Sequence, residues 1–98
     1  MSREGISDAV VRITEMEGRL DKATMLMDEL EEAIRKYEDY QSEIRILEEY
    51  YTGDMWKCDL ALDEAGSLPQ DLKRGVLSED GIYNLLERNK EIRREQNQ

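Results

Sequence analysis

From Ile6 to Tyr37 the apolar residues recur every three or four positions: Ile6, Val10, Ile13, Met16, Leu20, Ala23, Met27, Leu30, Ile34 and Tyr37. That interval is the period of one face of an α-helix, and the residues between are mostly Glu, Asp, Arg and Lys, as a solvated outer face requires. Written as heptads, Ile13, Leu20, Met27 and Ile34 occupy one seam position and Met16, Ala23, Leu30 and Tyr37 the other, a coiled-coil pattern. The stripe predicts a first helix over 7–38. Ser7 reads as its N-cap and Asp8 as a first-turn acid, where negative charge suits the helix dipole. Gly18 is its weak point, costing about 1 kcal/mol relative to Ala, and a place for a bend or for close approach of another backbone.

Beyond Glu38 the heptad phase slips. Gln41 and Glu48 fall where apolar residues belong, and the stripe moves to Tyr40, Ile44, Leu47 and Tyr51. One unbroken helix from Ser7 to Tyr51 would run ~68 Å at ~1.5 Å per residue, whereas a compact domain of this length has a radius of gyration of ~13 Å. A reversal near Asp39–Ser42 is therefore preferred, because it lets the first stripe be buried within the chain. The second helical region spans 41–65. Thr52-Gly53-Asp54 either kinks or divides it, with Asp54 as the cap of a second part, and Gly66 takes the left-handed position that closes it.

Dense punctuation follows Gly66. Pro69 suits the first turn of a short helical stretch, Lys73 and Arg74 its last, and Gly75 its end. Ser78 then reads as an N-cap, with Leu77 and Ile82 at the two positions of a hydrophobic staple. A third helix is expected over 79–94, with Ile82, Leu85, Leu86 and Ile92 as its apolar face and the pairs Glu87–Lys90 and Glu91–Arg94 outside. The predicted fold is all-α: one domain over 1–98, a long antiparallel helical hairpin closed by a short helical turn in a capped joint (66–78), and a C-terminal helix completing a small three-helix bundle.

Composition agrees, with one Pro, no Phe and equal 39% shares of hydrophobic and charged residues; regularly spaced apolar positions argue against disorder. The net charge of −10 is concentrated: residues 38–66 hold nine acids and two bases, against −3 before them and zero after. A field of that sign repels phosphate backbones and anionic lipid, so nucleic acid and membrane are poor partners and basic proteins better ones. No apolar run approaches the ~20 residues of a bilayer span, and residues 1–12 lack the apolar stretch of a signal peptide. Cys58 is the single cysteine. Without an internal disulfide, a reducing, cytoplasmic setting is expected.

Histidine is absent, so neither a Ser-His-Asp nor a Cys-His nucleophile can be assembled, and the commonest zinc ligand sets lose their nitrogen donor. Cys58 is expected as a half-buried thiol beside Trp56, not a nucleophile. No glycine-rich phosphate loop occurs and no cofactor is implied. Carboxylates remain. Asp59 and Asp63 stand one helical turn apart, with Glu64 beside them, and hard oxygen donors suit Mg²⁺. All-helical pyrophosphohydrolases use acids at such spacings, but their paired acidic signature is not reproduced. Asp59 and Asp63 are thus weak metal candidates. Tyr37, Tyr40, Tyr50, Tyr51 and Trp56 flank the acidic middle, and most are expected in the core, since such rings supply large buried areas.

The stretch Tyr50-Tyr51, Trp56, Asp59, Asp63-Glu64-Ala65-Gly66, Leu68-Pro69, the run from Asp71 to Gly81, Tyr83 and Leu85-Leu86, together with Arg12 to Glu17, resembles a bacterial domain of unknown function, family 4298. The resemblance covers nearly the whole chain and is most specific from Leu68 to Leu86. It implies a small acidic bacterial cytoplasmic protein without an assigned activity. The expected function is a non-enzymatic protein-interaction or accessory module with a protein partner or self-association, including a homodimer. Trp56, Asp59, Asp63, Glu64, Lys73 and Arg74 are its interaction candidates, the acids either holding the bases of the joint or meeting a partner. The alternatives are a metal-dependent carboxylate hydrolase and an acidic mimic that occupies a nucleic-acid-binding protein.

Overall fold

A computed structural model describes residues 3–96, and among these the chain is all-α, with four α-helices and no strand. Helix α1 spans Arg3–Asp39, α2 Gln41–Thr52, α3 Asp54–Glu64 and α4 Gly81–Gln96; a single 3₁₀ turn, Gly75–Leu77, lies between α3 and α4. Two units are distinguished, Met1–Asp39 and Tyr40–Gln98.

The first unit is α1. Ser7 lies inside it, not at its cap: Ile6 and Val10 already share the stripe, so the helix is under way before Ser7. Gly18 does not interrupt it, and a β carbon there would meet open space. Arg35 is held by Glu32 and, at 3.5 Å, by Asp39. The seam residues Ile13, Met16, Leu20, Met27 and Leu30 are 57–61% exposed; within its own unit a single helix supplies no second layer.

In the second unit, the helix expected over 41–65 is two. Gly53 is extended (φ −98°, ψ −176°), and its amide bonds the Tyr50 carbonyl at 3.3 Å, closing α2 with a tightened last turn. Asp54 is the first residue of α3 and makes no capping bond; its charge still faces the positive end of the helix. At the other end Gly66 is left-handed (φ +70°), with its amide on Asp63 O and the Ser67 amide on Leu62 O, both at 3.0 Å. Those are the two bonds of a Schellman motif, so the expected stop is met in full.

The short helical turn expected over Pro69–Gly75 is met by one turn and no helix. Only a turn from the Leu72 amide to Pro69 O (3.2 Å) stands there. Arg74 lies across this stretch, its guanidinium donating to the carbonyls of Pro69 and Leu72. Ser78 behaves as the predicted cap, its hydroxyl accepting the Gly81 amide at 3.1 Å, although α4 begins at Gly81, two residues later than expected. The same hydroxyl donates to Gly75 O at 2.7 Å. A β carbon on Gly81 would stand 2.5 Å from that carbonyl and 2.6 Å from Ser78 Oγ, so only glycine fits.

Both predicted staple residues are buried: Leu77, Ile82 and Leu86 form the core, at 3–9% exposure. Packed around it are the 3₁₀ turn against α3 and α4, and α2 against α3 and α4. Helices α2 and α4 run antiparallel, Gln41 meeting Asn89 while Leu47 shares a groove with Ile82 and Leu85. Glu87–Lys90 pairs at 3.3 Å; no Glu91–Arg94 pair forms among the described residues. No helix among the described residues is long and apolar enough to cross a membrane.

Candidate functional site

The half-buried positions of α3 are Trp56, Asp59, Leu60 and Asp63, which share one helical face. The sequence thus turns two carboxylates inward beside an aromatic ring, and the fold meets each one separately. Tyr50 Oη on α2 donates to Asp59 Oδ2 at 2.7 Å. This bond, with some desolvation and the nearby negative charge, pushes the Tyr50 hydroxyl up to about 12 from its ordinary 10, because ionising it would set a phenolate against a carboxylate. Asp63 Oδ1 takes Arg74 Nη1 at 2.5 Å, both side chains being about a quarter to a third exposed. Arg74 thereby joins the C-terminal end of α3 to the carbonyls of Pro69 and Leu72.

Trp56 fastens the same joint from the apolar side. Its indole Nε1–H donates to Val76 O at 2.9 Å, and its ring meets Tyr51 edge to face, centroids 5.1 Å apart at 73°, a favoured aromatic geometry. Glu64 and Lys73 complete the predicted set, and both are exposed. Lys73 lines a groove of about 390 Å³ together with Leu47, Val76, Ile82 and Leu85. Asp59 and Asp63 therefore face different partners, and among the described residues no group of three His, Cys, Asp or Glu is disposed to hold a metal ion. Cys58 is exposed on α3, not half-buried as expected, because it lies outside the inward face of that helix.

Two features escaped the sequence reading. Gln41 and Asn89 form a reciprocal, half-buried amide pair, Gln41 Nε2 to Asn89 Oδ1 at 3.2 Å and Asn89 Nδ2 to Gln41 Oε1 at 3.0 Å. Its signal was present, since Gln41 breaks the apolar phase and Asn89 falls on the inward face of α4 between Leu86 and Ile92. The second is a groove of about 640 Å³ between α2 and α4, lined by Tyr40, Glu43, Ile44, Ile46, Leu47, Tyr50 and Leu85. Tyr40 is 62% exposed, so that ring is not the core filler expected of it.

Compared with known families, residues 13–96 match the model described as Domain of unknown function (DUF4298). Neither the curated proteins nor the solved structures gave a match.

Proposed function

We propose that this chain, which belongs to the DUF4298 family, is a non-enzymatic protein-interaction module that self-associates through the apolar stripe of α1. One observation supports the reading: an unbroken helix, Arg3–Asp39, carries a heptad seam of which Ile13, Met16, Leu20, Met27 and Leu30 are more than half exposed. Apolar surface left in water forgoes about 25 cal/mol per Å², and a second copy offers a seam of identical period. Within the second unit, Trp56, Asp59, Asp63 and Arg74 already have partners. Glu64 and Lys73 are the members of the candidate set left for a partner protein.

A hairpin in which residues 41–65 cover α1 inside one chain, giving a three-helix bundle, would satisfy the same stripe. Concentration separates the two. Light scattering over a wide concentration range is expected to show the mass rising from one chain to two. A single-chain mass throughout would overturn self-association and favour the hairpin.

A further inference from the structure

We infer that two copies of α1 pair in parallel and in register, with Arg12 of each helix against Glu17 of the other. The inference rests on the self-association reading above and adds its orientation. With Ile13, Leu20, Met27 and Ile34 at position a, the flanking g positions include Arg12 and Arg19, and the flanking e positions include Glu17, Glu31 and Glu38. Charge is thus segregated: the g edge carries bases and no acid, the e edge acids and no base.

In a parallel pair each g residue meets the e residue of the next heptad on the other helix, and these contacts set orientation. Arg12 then meets Glu17 twice by symmetry, Arg19 meets Thr24, and no like charges are opposed. An antiparallel pair sets e against e. Centred on Thr24, it opposes Glu17 to Glu31 twice, which is repulsive. The intrahelical pairs point the same way. Arg19 is 3.9 Å from Glu15 and Arg35 is taken by Glu32, whereas Arg12 and Glu17 have no ion-pair partner among the described residues. Isoleucine at a, in Ile6, Ile13 and Ile34, suits a two-stranded parallel seam.

The test uses the full chain in three preparations: wild type, Arg12→Glu and Glu17→Arg. Each single variant opposes like charges at both symmetric contacts and is expected to weaken the dimer about tenfold. An equimolar mixture of the two variants restores both attractions, so heterodimers should form at close to the wild-type dissociation constant in sedimentation equilibrium. If wild type dimerises but the mixture is no tighter than either variant alone, the parallel register is wrong while self-association stands. If wild type stays monomeric, self-association fails and this inference with it.

Discussion

A carboxylate on the inward face of a helix is costly unless it is paired, and α3 carries two. Asp59 is satisfied by a phenol and Asp63 by a guanidinium, a difference with consequences for pH. Tyr50 is raised from 10 to about 12 in the folded chain. A group whose folded pKa lies above its unfolded value contributes stability that is intact below the unfolded pKa and lost as pH rises through the folded one. The Tyr50–Asp59 contribution should therefore be constant below pH 10 and disappear between about 10 and 12. Tyrosinate absorbance should show one phenol ionising near 12, and Asp59→Ala should return it toward 10; an unchanged titration in that variant would remove Asp59 as the cause. Gly81 illustrates the opposite constraint, space in place of charge. Because a β carbon there would press on the Gly75 carbonyl, Gly81→Ala should destabilise the second unit by about 1–3 kcal/mol, read as a lower urea midpoint of Trp56 fluorescence.

At the scale of elements, the joint between α3 and α4 is organised by side chains that reach back onto the backbone. Arg74 touches Asp63, Pro69 and Leu72, while its neighbour Lys73 is exposed. Arg74→Ala should cost about 1–2 kcal/mol, after allowance for the partial exposure of its carboxylate partner. Lys73→Ala should stay within about 0.5 kcal/mol. Equal losses in urea denaturation of the two variants would mean that charge near the joint matters and the Arg74 contacts do not. This joint also marks how far the sequence could be read. Backbone punctuation was legible: Gly66 closes α3 and Ser78 caps α4, because both act on amides a few residues away. The long stripe of α1 was equally plain. What was not legible depended on distant partners. Pro69–Gly75 has the residues of a short helix, yet it makes one turn that Arg74 ties to Asp63 on α3; Gln41 looked like a flaw in a stripe until Asn89 met it from α4. Among the predicted site residues, types and positions were readable from spacing, but whether Asp59 and Asp63 face one cation or two separate donors depended on the placement of Tyr50 and Arg74.

For the molecule as a whole, the two units have different sources of stability, and that difference is measurable. The second unit buries Leu77, Ile82 and Leu86 and ties its helices with the Trp56, Tyr50 and Arg74 contacts, all intramolecular and so indifferent to concentration. Helix α1 in isolation relies on propensity and on i to i+4 pairs worth a few tenths of a kcal/mol each; most helical stability in proteins comes instead from packing an apolar face. If a second copy covers that face, its stability follows mass action. Trp56 is the single tryptophan and lies in the second unit, so its fluorescence reports that unit, while far-ultraviolet circular dichroism takes about half of its helical signal from α1. On thermal melting across a hundredfold dilution, the dichroism midpoint should fall with concentration and the fluorescence midpoint should stay fixed. Coincident midpoints that ignore dilution would mean that the chain melts as one body, with the stripe covered from within. An expected split, together with rescue between Arg12→Glu and Glu17→Arg, would assign α1 the association and leave Tyr40–Gln98 as the part that presents Glu64, Lys73 and the α2–α4 groove to a further partner.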